Sequence, residues 1–366
     1  MKKQIFILVL AFFALSFSNA YGQTPRPLTC GVTEGPLSPQ LGKTYTYSVS
    51  VPNNAQFTGT PSLTYQWFVT KSKTFVTAGS IVATPIVNNG ADFDAVVASG
   101  TYNDAANTSP NIDIKWKTNA TPTDPYFLVV NTVGKNGICD PKNMRIYKIA
   151  PANMFTLDIT NVDVATGTAL PYSALFGQCY QDIQSITWDV TKANEATYDY
   201  GSNTLVWAVA AANFATSWTP TLLLAEKIKY NEGVTLTWNT KADGTGTAGV
   251  FTTTDSLTWT TTNPVPASLG SVGSAGEVVF IRMVLDHTTA TKQSEGINDQ
   301  SVILAIDGVT ESGSPDLHYS NTEPVVNTDC GLPDGFKYDI APAQTVKQRP
   351  NIVTNPASVP FLTPIR

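Results

Sequence analysis

Apolar and polar residues alternate with a period of two in several stretches of this chain. Tyr45, Tyr47, Val49 and Val51 alternate with Thr46, Ser48 and Ser50, and Ile112, Ile114 and Trp116 alternate with Asp113 and Lys115. Phe155, Leu157 and Ile159 stand against Thr156, Asp158 and Thr160, and Val234, Leu236 and Trp238 against Thr235 and Thr237. Successive side chains of a strand point to opposite faces, so the pattern predicts half-buried antiparallel strands. Residues that favour turns separate them: Pro52-Asn53-Asn54, Asn88-Asn89-Gly90, Asp243-Gly244, Asp307-Gly308 and Ser312-Gly313-Ser314-Pro315. Only Thr221 to Tyr230 carries residues suited to a helix, and its apolar run suits a strand equally well. The expected class is all-β, built of at least two tandem antiparallel β-sandwich modules.

A repeated phrase places the module boundaries. The chain reads Cys139-Asp-Pro-Lys-Asn-Met-Arg-Ile-Tyr147-Lys-Ile-Ala-Pro151-Ala152, and later Cys330-Gly-Leu-Pro-Asp-Gly-Phe-Lys-Tyr338-Asp-Ile-Ala-Pro342-Ala343. Proline cannot donate to a sheet ladder, so the phrase reads as a closing strand terminated by its proline. It divides the chain into a first module over 24–151, a second over 152–343 that is one large sandwich or two small ones, and a tail over 344–366.

Lys2 and Lys3 precede an apolar run from Ile5 to Phe17, and Ser18-Asn19-Ala20 supplies the small residues of a cleavage site. This three-part pattern predicts a secretory signal peptide over 1–20. The full chain carries 22 basic and 28 acidic side chains for a net charge of −6, and loss of the two lysines would make it −8. With no Lys/Arg cluster, nothing in the charge pattern suits nucleic acid or anionic lipid. No second stretch is long and apolar enough to span a bilayer. The protein is expected to be exported to the cell surface, the extracellular space or the periplasm.

Export makes disulfides the default state of the four cysteines. They fall two per module, Cys30 and Cys139 in the first and Cys179 and Cys330 in the second. Of the three possible connectivities the within-module pairs are favoured, because each ties an early element to the repeated closing strand. Loops of that length contribute about 4–5 kcal/mol in the chain-entropy account.

Several strands share an aromatic ending: Tyr65-Gln-Trp67, Asp113-Ile-Lys-Trp116, Ser185-Ile-Thr-Trp188, Thr204-Leu-Val-Trp207, Leu236-Thr-Trp238 and Leu257-Thr-Trp259. Large aromatics in the apolar phase of a strand fill the space between packed sheets, and each tryptophan is expected there. The competing use is a stacking platform for sugar rings.

The run from Thr44-Tyr-Thr-Tyr-Ser-Val-Ser-Val through Tyr65-Gln-Trp-Phe-Val, Ile112-Asp-Ile-Lys-Trp and Tyr126-Phe-Leu-Val-Val to Gly137-Ile-Cys139 resembles the immunoglobulin-like and PKD-like modules of secreted Bacteroidetes proteins. The second module, with Trp218-Thr-Pro, Val278-Val-Phe-Ile-Arg-Met-Val-Leu-Asp-His287 and Gln300-Ser-Val-Ile-Leu-Ala-Ile-Asp-Gly308, is similar to large envelope-associated proteins of the same bacteria. The resemblance implies tandem sandwiches in an envelope or surface protein. Trp67 follows Cys30 by 37 positions, much further than the core tryptophan follows the first cysteine in an antibody-like domain.

Candidate chemistry is sparse. His287 and His318 are the only histidines, and no Gly-x-Ser-x-Gly elbow is present. Zinc wants three or four His, Cys or carboxylate ligands, and neither histidine reads as one, so both are expected on the surface or in loops. Gly244-Thr-Gly246-Thr-Ala-Gly249 matches the dinucleotide fingerprint formally, but Thr-rich strands flank it where a helix is required, so it reads as a hairpin tip. Asp92-Phe-Asp94 and Asp158-Ile-Thr-Asn161-Val-Asp163 could offer oxygens to calcium or an acid pair to a glycosidase, yet neither completes a known loop pattern. No catalytic, cofactor or metal residue is assigned. Asp255-Ser256-Leu257 resembles a short Bacteroidetes O-glycosylation pattern and makes Ser256 a candidate glycosylation site, provided that it is exposed.

The tail is punctuated by Pro350, Pro356, Pro360 and Pro364, and could dock as an extended strand on an exposed sheet edge. The expected function is a non-enzymatic structural, adhesive or assembly protein of the envelope or surface, working through protein partners or self-association. The alternative is carbohydrate binding through exposed aromatics.

Overall fold

The computed structural model describes residues 35–120, 123–136, 138, 140–170, 176–188, 190–191, 195–226, 228, 233–266, 277–287, 298–316, 339–350 and 363–364. Strands dominate, and the one helical element among the described residues is a 3-10 turn at Asn54–Gln56. Thr221 to Leu224, in the stretch with mixed signals, is strand. The all-β expectation holds.

The first half contains β1 (Thr44–Ser48), β2 (Leu63–Thr70), β3 (Val76–Thr77), β4 (Ser80–Ile81), β5 (Phe93–Val97), β6 (Asn111–Trp116), β7 (Tyr126–Gly134) and β8 (Lys142–Ile149). They form two antiparallel three-stranded sheets, β1-β6-β5 and β2-β7-β8, with a small β3-β4 hairpin. The core between the sheets takes the apolar phase of each strand: Tyr45, Tyr47, Trp67, Phe93, Ile112, Ile114, Trp116, Tyr126, Leu128 and Val130. Its aromatic polar atoms are satisfied. The Trp67 indole donates to Ser109 O at 3.1 Å, Trp116 donates to the Tyr47 hydroxyl at 3.1 Å, and that hydroxyl donates to Pro36 O at 2.7 Å. Burial pushes the Tyr47 phenol up to about 12, with the Trp116 hydrogen bond pulling slightly the other way.

β2 is buried on both faces. Residues beyond it fold back over the outer face of β2-β7-β8, held by Ile86 N to Val69 O at 2.8 Å and Thr70 Oγ1 to Thr84 O at 2.7 Å. Beneath them Phe68, Ala83 and Val129 form a second small core with Phe75, Phe127 and Met144.

The second half contains β9 (Thr156–Asp163), β10 (Thr168–Ala169), β11 (Phe176–Cys179), β12 (Ser185–Trp188), β13 (Glu195–Asp199), β14 (Ser202–Ala212), β15 (Ser217–Leu224), β16 (Gly233–Asn239) and β17 (Ala248–Val250). It continues with β18 (Thr252–Thr253), β19 (Thr258–Thr260), β20 (Val265–Pro266), β21 (Glu277–Asp286), β22 (Gln300–Val302), β23 (Leu304–Thr310), β24 (Asp339–Ile340), β25 (Gln344–Lys347) and β26 (Thr363–Pro364). One sheet runs β10-β9-β14-β21-β16-β17, and its partner β18-β19-β15-β23-β24 also carries β20 on β15. A single apolar cluster joins them, with Leu205, Trp207, Val209, Leu236, Trp238, Ile281 and Met283 from one sheet and Trp218, Leu222, Trp259, Leu304 and Ile306 from the other. The described residues between 152 and 343, with Val346 beyond them, therefore supply one large sandwich core.

The described parts of the repeated closing phrase, 140–152 and 339–343, both include an edge strand. β8 is the edge of β2-β7-β8, and β24 is the edge of the run β15-β23-β24, each antiparallel to its neighbour. Both end in Ala-Pro as proline requires.

The half-buried reading of β9 is too simple. Its polar phase is buried as well, including Thr156, Asp158 and Thr160. For Thr160 a polar partner makes this tolerable, since its Oγ1 donates to Leu170 O. Gly249 has a definite reason to be glycine, since a Cβ there would sit 2.2 Å from the Trp238 indole nitrogen.

Two further three-stranded sheets complete this half, β11-β25-β22 and β12-β13-β26. Both include strands from 344–366. β25 pairs parallel to β11 and antiparallel to β22, with Gln344 and Val346 fully buried. β26 lies parallel to β13, pairing Thr363 with Glu195 and Pro364 with Ala196. The segment read as a docking tail docks on its own chain.

Candidate functional site

The aromatic residues separate into an interior set and one exception. Trp67, Trp116, Trp207, Trp218, Trp238 and Trp259 are buried in the two cores, whereas Trp188 on β12 is 53% exposed. The core expectation holds for six tryptophans and fails for this one. The physical reason is topological. β12 belongs to a small sheet with β13 and β26, and among the described residues nothing is packed over Ile186 and Trp188.

Residues 181–188 are all exposed, and the alternating residues Ile186, Trp188 and Val190, together with Ile183, concentrate four large apolar side chains in eight positions. In the antiparallel β12-β13 pairing Ile186 stands opposite Tyr198 and Trp188 opposite Ala196, so these side chains share one face. The other edge of β12 pairs with no described strand. At the far side of the sheet β26 ends in Pro364, whose missing N–H blunts that edge.

Beside this sheet the C-terminal segment is fastened by an aromatic clamp. The Arg349 guanidinium lies 5.1 Å from the Tyr180 ring centroid and 4.8 Å from that of Tyr200, and donates to Gln181 O and Tyr200 O. Tyr198 stacks on Tyr200 at 5.4 Å. Tyr180 also meets His287 at 5.1 Å, and His287 Nε2 lies 3.3 Å from Asn203 Oδ1. His287, expected on the surface or in a loop, is instead fully buried. Burial pushes its pKa down to about 4, Arg349 adds to that, and Asp286 opposes it. The clamp joins residues that lie far apart in sequence, which is why no local pattern announced it.

The other candidate residues do not converge. Cys179 is an exposed free thiol at the end of β11, while Cys30, Cys139, Cys330 and His318 lie outside the described residues, as do residues 1–20. Ser256 is exposed at the β18-β19 turn, where Asp255 accepts the Leu257 and Thr258 amides and is held below the usual carboxylate range by those bonds. Asp92 accepts the Tyr126 hydroxyl and Asp94 pairs with Lys117 at 2.6 Å, so the two carboxylates have separate partners. Asp158 and Asn161 are three apart on β9 and point to opposite faces, while Asp163 caps its own turn through Ala165 N and Thr166 Oγ1. The Gly244–Gly249 stretch closes the β16-β17 hairpin, with the Asn239 side chain bonded to Lys241 N, Gly244 O and Gly246 N. Among the described residues no group of three or more His, Cys, Asp or Glu side chains could hold a metal.

Clefts open between described residues at two places of note. One of about 380 Å³ opens at an end of the first sandwich between Phe57, Val130 and Arg145. Another of about 700 Å³ lies between the 164–167 and 240–243 turns, over Phe280 and Arg282. In the second, Arg282 is tied to Ala242 O and Asp243 accepts two bonds from Thr245.

No protein-family model matches the chain, and no curated protein does. Among solved structures, one described as manganese lipoxygenase of Gaeumannomyces graminis with part of zonadhesin of Komagataella pastoris aligns over 80% of this chain and 81% of that one. The identity is 10% and the TM-score 0.17, a value at which the two folds do not correspond. The class defined here is thus an all-β chain of packed sandwiches, and its most distinctive surface is the open β12 sheet.

Proposed function

We propose that the protein is a non-enzymatic structural or adhesive component of the bacterial cell envelope or surface, and that the β12 sheet is its contact surface. The observation that carries this reading is the exposure of Ile183, Ile186, Trp188 and Val190 in a chain whose other tryptophans are all buried. Clustered apolar side chains beside an unpaired strand edge suit a protein partner, through both backbone pairing and side-chain burial. The export pattern of residues 1–20 and the resemblance to Bacteroidetes envelope modules support the location. In-cell crosslinking with affinity purification of the full chain tests the reading. A stoichiometric protein partner is expected, and Trp188→Lys should abolish its recovery. Recovery of the protein as an uncrosslinked monomer, with no other protein and no crosslinked second copy, in both cases would overturn it.

The second reading is sugar binding, favoured by Trp188 as the single exposed tryptophan. Its exposed neighbours along the chain, Ile186 and Val190, are apolar where a sugar site would want hydrogen-bonding groups, so this reading stands second. Sugar-dependent quenching of Trp188 fluorescence would reverse the order.

A further inference from the structure

We infer that the partner of β12 is β12 of a second copy of this chain, joined antiparallel about a two-fold axis through Thr187. This rests on the contact-surface reading above and names its occupant. The argument begins with the edges of the small sheet. One is closed by the chain's own β26, ending in Pro364, and the other is β12, which carries no proline and no charged residue between Ser185 and Trp188. Edges are normally blunted by such residues or by brevity, and this four-residue edge has brevity alone to protect it.

Self-complementarity then fixes the register. In antiparallel pairing, directly opposite residues share a face, and a shift that exchanges odd for even positions would set Ile186 and Trp188 beside the threonine face. Centring the pair on Thr187 places Ile186 opposite Trp188 of the second copy, twice by symmetry. Aromatic residues paired across strands with β-branched ones are favourable, and Thr187 meets its symmetry mate on the other face in an equally favourable pair. Centring on Ile186 would leave Trp188 facing Gln184. Centring on Trp188 would require Val190 and Thr191 to extend the strand, and both lie in a turn.

The pairing also continues the existing rows. Tyr198 stands beside Ile186 and Ala196 beside Trp188 within each copy, so the joined sheet has two apolar rows, Tyr198-Ile186-Trp188-Ala196 and its symmetry equivalent. Isologous contacts of this kind close on themselves as dimers. Four strand residues a side form a short ladder, far fewer than the roughly 20–30 residues a side of a standard interface. The association is therefore weak in dilute solution and gains strength where many copies are held together.

Disulfide trapping of the full chain in a Cys179→Ser background tests the register. Opposed strand residues have Cα atoms roughly 4.5–5.5 Å apart, within disulfide range. Thr187→Cys should oxidise to a covalent dimer with the bond mapped by mass spectrometry to position 187 of both chains. Ser185→Cys, which this register places opposite position 189, should stay monomeric, and Trp188→Lys added to Thr187→Cys should lower the dimer yield at least tenfold. Absence of the 187–187 bond at high concentration, or equal crosslinking from position 185, overturns the proposal. If the bond is absent but in-cell crosslinking recovers a different protein in a Trp188-dependent way, self-pairing falls and the contact-surface reading stands. If neither occurs, both fall.

Discussion

Among the described residues, the three-stranded sheets β2-β7-β8 and β12-β13-β26 both carry apolar outer faces, and only the first is seen covered. On β2-β7-β8 the outward residues Phe68 and Val129 lie under the β3-β4 excursion, which brings Phe75 and Ala83 over them. On β12-β13-β26 the corresponding surface, Ile186 and Trp188, remains about half exposed. A covered apolar face contributes to folding, because its burial removes it from water at every concentration. An open one contributes only when a partner arrives, and is a cost in solubility until then.

The largest effect expected from this contrast is on stability. Phe68→Ala should destabilise the first sandwich by about 3–5 kcal/mol, the usual cost of truncating a buried phenylalanine. Trp188→Ala should cost less than about 1 kcal/mol. Denaturant unfolding measures both, and similar losses from the two substitutions would erase the distinction between the faces.

A somewhat smaller effect tests the clamp beside the open sheet. The ordinary histidine pKa is near 6.5 and the folded His287 value is about 4, so between these the unfolded chain binds the proton and the native one does not. Stability should be constant above pH 6.5 and fall as pH drops toward 4, by about 3 kcal/mol in total. The window from pH 6.5 to 5 lies above the carboxylate range and isolates this contribution. His287→Gln should flatten that slope, and an unchanged slope would remove His287 as its source.

Smaller again is a difference between the two sandwiches. The buried Trp67 and Trp116 indoles in the first donate hydrogen bonds, whereas in the second Trp238 donates to Asn263 O but Trp207, Trp218 and Trp259 meet no acceptor among the described residues. Trp67→Phe strands the Ser109 carbonyl, while Trp218→Phe removes an unsatisfied donor. The first substitution should cost about 1 kcal/mol more than the second in matched unfolding measurements. The smallest change concerns spectra alone. Acrylamide should quench a single tryptophan of the seven readily, and Trp188→Phe should remove that accessible fraction with little change in stability.

Much of this was legible in the sequence, element by element. The alternation around Tyr45, Ile112, Phe155 and Val234 marks β1, β6, β9 and β16, and the Asp243-Gly244 signal falls in the β16-β17 hairpin. The candidate surface was not legible. Ser185-Ile-Thr-Trp188 alternates as a core strand does, and only its brevity between Asp182 and Asp189 set it apart. His287 and Arg349 lie 62 positions apart and read as unrelated residues.

By itself the sequence determined the strand class, the turns and the repeated closing phrase, because these follow from local backbone preference and a period of two. Only the tertiary structure decided which alternating faces are covered, that 344–350 joins the second core, and that Trp188 alone of the tryptophans meets solvent. The physical reason is that alternation shows how the two faces of a strand differ, while what packs on each face is supplied by residues far away in the chain.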